Sequence, residues 1–277
     1  MGKIGDYKIL QELTQKGRRD IKVYKTRLRS NNRKLYVVKT YPKETHTRYA
    51  QKEFELLNIL RNVPGIVKPI KLFEWDTKIC LVEDYIPGVT LDKYIKNRSI
   101  IDCKLCGKII KRLVTIFDKM HYMGVSHRDI KPANIILHDA TTLPVVIDFD
   151  KALTRDEYKG KRTNVVGTPY YMAPELGAYY KKKWMKRDYD WFKGDVWSFG
   201  VTAFLLLHGE IPHKGISSMF DFSDVLLFLT KCSKSVNPRH YISSASNCDM
   251  TTCTLINLSL ECDFNRRPTF KKLLEYL

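Results

Sequence analysis

Short runs of β-branched and aromatic residues alternate with polar turns early in the chain, at Tyr7 to Leu13, Lys22 to Leu28 and Leu35 to Thr40. This pattern predicts an antiparallel meander. The period then changes. From Thr47 to Asn62, Phe54, Leu57 and Leu60 recur with Leu56 and Ile59 beside them, the spacing of a helix, and Pro64-Gly65 stops it. Ile66 to Phe73 and Ile79 to Tyr85 return to strand character before Pro87-Gly88. Leu105 to Tyr122 carries Ile109, Ile110, Leu113, Val114, Phe117 and Met120 on one helical face and ends at Gly124. Ile135 to Leu137 and Pro144 to Ile147 predict a short hairpin. The longest apolar run, Val196 to Leu207, is interrupted by Ser198, Gly200 and Thr202 and falls short of the ~20 residues that span a bilayer. It predicts a buried helix and no membrane association.

At 277 residues, the chain fits one large domain or two lobes sharing a cleft. With 44% apolar and 28% charged residues, wholesale disorder is excluded. The first residues lack the basic, apolar and small-residue succession of a secretory leader. Seven cysteines include a single CxxC, Cys103 with Cys106, whereas a structural zinc site needs four ligands. Cys248, Cys253 and Cys262 do not complete one, so reduced thiols in an intracellular protein, cytoplasmic or nuclear, are expected. The net charge of +18 points either to an acidic protein or nucleoprotein partner or to a solvated basic surface.

The most specific stretch is His127-Arg128-Asp129-Ile130-Lys131-Pro132-Ala133-Asn134, followed by Asp148-Phe149-Asp150. It resembles the catalytic loop and metal-binding motif of the eukaryotic-type serine/threonine protein kinase family, and the resemblance extends over essentially the whole chain. It implies an α+β, bilobal fold: a small antiparallel-sheet N-lobe with one main helix (1–84), a hinge (85–90) and a larger, mainly helical C-lobe (91–277). It also implies phosphoryl transfer from ATP to a protein substrate, a reaction achieved by positioning and charge neutralisation. Asp129 would accept the hydroxyl proton, and Lys131 would contact the transferred phosphate. Asn134 and Asp148 would hold Mg²⁺, with Mn²⁺ as the alternative ion.

Matching continues on both sides of this stretch. Val37-Val38-Lys39 resembles the strand whose lysine contacts the α- and β-phosphates, and Glu53 stands where the family's lysine-binding glutamate does. Setting Val23-Tyr24-Lys25 against the family's Val-x-Lys puts Lys16, Arg18 and Ile21 where three phosphate-facing glycines would be, with Gly17 one position off. Either Lys16, Arg18 or Arg19 reaches phosphate as a point charge, or the turn lies away from the nucleotide. Asp84, Tyr85 and Ile86 resemble the adenine-binding hinge, which leaves Glu83 at a position usually apolar or Thr. Either the register shifts by one and Glu83 belongs to the hinge, or a carboxylate enters the back of the pocket and is costly unless paired.

Gly167-Thr168-Pro169 through Ala173-Pro174-Glu175 resembles the substrate-positioning loop, with Thr168 supporting Asp129 and Lys131. Arg128 implies control by phosphorylation, with Thr163 as candidate, against a constitutively ordered loop. Asp195 to Gly200 resembles the start of the family's buried helix, whose Asp braces the catalytic loop, and Arg267 resembles the partner of Glu175. The basic insertion at Lys181 to Arg187 is either a solvated loop, a docking surface or a nuclear-import patch. Asp150 replaces the family's glycine, and Asp tolerates the positive φ expected there. Minimal size, high charge and the lost glycines are similar to divergent kinases of large DNA viruses of the baculovirus type. The rival readings are a kinase-fold scaffold without catalysis and a basic binding module. The retained Lys39, Asp129, Asn134 and Asp148 argue against the first, and salt-sensitive binding to DNA is what would support the second.

Overall fold

The structure, a computed structural model, describes residues 2–14, 20–97, 102–158, 164–176, 189–212 and 249–277. Two compact units are present: Met1–Pro87 with Ile147–Asp150, and Gly88–Val146 with Lys151–Leu277.

The first unit is built on an antiparallel sheet of six strands: β1 Lys3–Ile4, β2 Tyr7–Glu12, β3 Lys22–Leu28, β4 Asn31–Pro42, β5 Pro69–Trp75 and β6 Lys78–Asp84. Its order is β1-β2-β3-β4-β6-β5, so the predicted meander is real through β4 and a helix then separates β4 from its next neighbour. That helix, α1, is Lys43–Ile59. It starts four residues before the expected Thr47, directly after Pro42, and buries Ala50, Glu53, Leu56 and Leu57.

Alternation decides which side chains meet. Tyr36 and Val38 on β4 and Cys80 and Val82 on β6 pack in one core with Ile4 and Tyr7. Residues one position away point to the other face, because a strand repeats every two residues. Lys39 lies opposite Leu81, and Val37 opposite Glu83. The α1 side of the sheet therefore receives both Lys39 and Glu83.

The second unit is organised by α3, Cys103–Tyr122, and α5, Trp191–His208. Before α3 come β7 Gly88–Thr90 and α2 Leu91–Asn97, and between α3 and α5 come β8 Val125–Ser126, β9 Ile135–His138, β10 Pro144–Val146, β11 Leu153–Thr154 and α4 Arg155–Tyr158. After α5 come α6 Met250–Ser259 and α7 Phe270–Leu274. Asp102 caps α3 by accepting from Leu105 N at 3.0 Å, and the predicted apolar stripe from Ile109 to Met120 is buried. The run from Val196 to Leu207 is the body of α5, and Gly209 closes that helix with φ 76°. Gly200 allows α5 to approach α6: a Cβ there would stand 2.8 Å from the Cβ of Ser259. Among the described residues, no helix is long and apolar enough to cross a membrane.

Arg267, 1% exposed, ties the late chain to the middle of this unit. It donates to both Glu175 oxygens at 2.7 and 2.9 Å, to Glu261 O at 2.9 Å and to Lys193 O at 3.1 Å. The bidentate geometry satisfies a charge that could not otherwise be buried. Glu175→Ala strands the guanidinium and should lower unfolding free energy by ~3–5 kcal/mol in urea titration. Glu175→Gln, which keeps one acceptor, should lose less.

Candidate active site

In the first unit, one ammonium group faces three carboxylates. Lys39 Nζ is 2.6 Å from Glu53 Oε1, 3.2 Å from Glu83 Oε1 and 3.6 Å from Asp148 Oδ1. Glu53 comes from α1, Glu83 from β6, and Asp148 from the segment beyond β10. The Tyr41 hydroxyl, two positions along β4 from Lys39, also donates to Glu53. Phe149 N completes Glu53 by donating to Oε1 at 3.1 Å, and the Phe149 ring is fully buried. Burial opposes the charge on Lys39, but Glu53, Glu83 and Asp148 hold its pKa well above the usual lysine range. Burial pushes the Glu83 carboxyl up to about 7; Lys39 pulls against that, while Glu53 and Asp148 reinforce it.

This geometry resolves the two readings of Glu83. Its side chain points inward and is paired with Lys39, whereas Asp84, one residue on, turns to the opposite face and meets Lys34 at 2.9 Å. Val23 sits directly across the sheet from Lys39. Tyr85 and Ile86 follow the end of β6, and the Tyr85 hydroxyl accepts from Lys25 at 3.1 Å.

In the second unit, the loop between β8 and β9 is fixed by one buried carboxylate. Asp195 accepts from Ser126 Oγ at 2.9 Å, His127 N at 2.8 Å, Arg128 N at 2.8 Å and His121 Nε2 at 3.0 Å. Burial pushes the Asp195 carboxyl up, but the bond from His121 and the charges around it win, so it stays below the ordinary value. Arg128 takes φ 66°, a left-handed conformation unusual outside glycine. Its guanidinium stacks 4.2 Å over Trp191 and donates to Asn164 O at 2.8 Å.

The loop presents Asp129, whose side chain has no solvent exposure. Its Oδ1 accepts from Thr168 Oγ1 at 2.7 Å, and its Oδ2 from Lys131 at 3.0 Å and Lys151 at 2.7 Å. Lys131 also donates to Thr168 at 2.8 Å. Burial pushes the Asp129 carboxyl up, but Lys151 and Lys131 hold it far below the ordinary carboxylate range, and it is ionised at neutral pH. Such a group can orient and accept from a hydroxyl.

Asn134 ends a short 3₁₀ turn, Pro132–Asn134, and is 1% exposed. Its Nδ2 donates to Asp129 O at 2.9 Å, which turns the amide oxygen away, and Oδ1 is buried without a hydrogen bond. A buried amide oxygen lacking a donor suits a hard divalent cation. Among the described residues, no group of three or more His, Cys, Asp or Glu could hold a metal, so a cation here would draw on water and ligand oxygens as well.

Lys39, Glu53, Glu83 and Asp148 thus converge in one unit, and Asp129, Lys131, Asn134 and Thr168 in the other. Lys16, Gly17, Arg18, Thr163 and the insertion Lys181 to Arg187 lie outside the described residues. One expectation is corrected: the positive φ falls on Asp148, at 69°, and not on Asp150. Three participants carried no motif signal. Lys151 is one lysine in a basic segment. His121 and Tyr41 were discoverable only from periodicity, His121 four residues before Val125 on α3 and Tyr41 two after Lys39 on the same strand face.

Comparison with known proteins adds the family. The sequence profile described as protein kinase domain matches residues 20–277. Calcium-dependent protein kinase 3 of Plasmodium yoelii yoelii is 32% identical over 166 residues, 58% of this chain and 29% of that protein. Serine/threonine-protein kinase ppk34 of Schizosaccharomyces pombe is 34% identical over 187 residues, 64% and 49% of the two chains. CBL-interacting serine/threonine-protein kinase 12 of Arabidopsis thaliana is 29% identical over 224 residues, 79% and 41%. The matches therefore span less than half the length of these relatives.

The raised Glu83 carboxyl predicts a pH dependence of stability. Between the ordinary carboxyl value of about 4.3 and the folded value near 7, the native state holds a proton that the unfolded chain has released. Stability should fall as pH rises through that window, and Glu83→Gln should flatten the fall, read as urea midpoints from pH 5 to pH 8.

Proposed function

We propose that this chain, which belongs to the protein kinase domain family, transfers the γ-phosphoryl group of ATP to serine and threonine hydroxyls of proteins. The observation that carries this reading is the buried, ionised Asp129 carboxylate, with two ammonium groups and a hydroxyl arranged around it. Asp129 orients the acceptor hydroxyl and receives its proton. Lys131 and Thr168 hold that carboxylate, and Lys131 offers its one remaining N–H donor to the transferred group. Lys39, braced by Glu53, anchors phosphate.

Asn134 and Asp148 are assigned the divalent ions, Mg²⁺ or Mn²⁺; the orphaned amide oxygen of Asn134 supports this. When bound, Mg-ATP supplies the phosphoryl group and the cations that neutralise its charge. Asp84, Tyr85 and Ile86 are assigned the adenine, with Val23 beside it and Glu83 behind Lys39. Lys16 and Arg18 are assigned to phosphate as point charges in place of the missing glycines, with Gly17 between them. The serine/threonine preference rests on Lys131 and on the names of the relatives. An intracellular setting, cytoplasmic or nuclear, and an acidic or nucleoprotein partner for the +18 charge rest on composition alone.

The test is labelled phosphate transfer from Mg-ATP and Mn-ATP to a generic basic protein. Asp129→Asn should lower the rate by about 10²–10⁴-fold. Equal signals from the two proteins would end the reading and leave a kinase-fold scaffold.

A further inference from the structure

Lys151 follows Asp148-Phe149-Asp150 directly and belongs to no motif. Yet its Nζ lies 2.7 Å from Asp129 Oδ2, nearer than the 3.0 Å of Lys131. One carboxylate therefore faces two ammonium groups. The lysine side chains are 15% and 28% exposed, for Lys131 and Lys151, so solvent screens this charge only partly. Asp129 neutralises one positive charge and leaves one in surplus, held where two like charges on a single oxygen repel each other. Such a cluster is completed by an anion.

We infer that Lys151 is a second lysine on the phosphoryl group in transit, sharing with Lys131 the negative charge of its oxygens as it passes to the hydroxyl held at Asp129. In that step, the acceptor oxygen forms a bond to phosphorus as the bond to the β-phosphate oxygen breaks. ADP leaves with that oxygen, the hydroxyl proton goes to Asp129, and Lys151 stays protonated throughout.

This inference rests on the proposed kinase activity and is tested beside it. Steady-state transfer is measured for the wild type, Lys151→Met and Lys151→Arg, each first shown to melt at the same temperature. Lys151→Met should lower kcat by about 10- to 100-fold, with both KM values little changed. Lys151→Arg, which keeps the charge, should recover most of the loss. An unchanged kcat in Lys151→Met overturns the inference, as does a raised one, which would make Lys151 a plug on Asp129. A loss that arginine does not restore also overturns it. Calorimetric titration with inorganic phosphate gives an independent readout, in which Lys151→Met should bind about tenfold more weakly than wild type. If the wild type transfers no phosphate at all, the kinase reading fails and this titration decides alone: weaker binding in Lys151→Met upholds Lys151 as an anion ligand, and equal or absent binding overturns it.

Discussion

A carboxylate sealed inside a protein is stable only when hydrogen bonds replace the water it has lost, and Asp195 uses that requirement to build a loop. Two of its donors are consecutive backbone N–H groups, His127 and Arg128; the others are the side chains of Ser126 and His121. Satisfying Asp195 bends the chain through the left-handed φ of Arg128, a conformation that costs roughly 1–3 kcal/mol and persists only where surroundings over-determine it. The next residue is Asp129. Its direction is thus set by a group that has no chemistry of its own to perform, on a helix whose burial on every side leaves it little freedom to shift.

The charges divide in a way that follows the chemistry. Around Lys39 the carboxylates outnumber the ammonium, and all three lie within 3.6 Å of it. Around Asp129 the ammonium groups outnumber the carboxylate, which suits an anion. Glu83 is the unusual member of the first group. It is placed by the β4 to β6 register and not by α1, so Lys39 keeps one carboxyl neighbour that depends on the sheet alone.

What the sequence made legible was what local pattern and motif spacing control. Strand alternation gave β2, β3 and β4, the apolar stripe gave α3, and it was the family resemblance, not spacing, that led to Thr168 and Asp195 beside the loop of Asp129. The start of α1 was missed because Lys43 to His46 is polar and carries no apolar period; the end of β4 at Pro42 sets it instead. The inward turn of Glu83 needed the register of two strands distant in sequence. Asp150 was misjudged because the left-handed residue of that turn is Asp148, and a one-residue displacement of backbone strain leaves no trace in composition. Lys151 was invisible for a different reason: a lysine among many basic residues acquires meaning only when its Nζ is seen on Asp129.

The most direct test of this account is the single-turnover rate of Asp195→Asn, at a temperature where near-ultraviolet dichroism shows native packing. Asparagine keeps one acceptor oxygen but turns an N–H₂ toward groups that are themselves donors, so the loop should lose its fixed direction. The account predicts a transfer rate at least about 10²-fold lower, with the nucleotide affinity proposed to depend on Lys39 unchanged. A wild-type rate in a folded Asp195→Asn protein would contradict it.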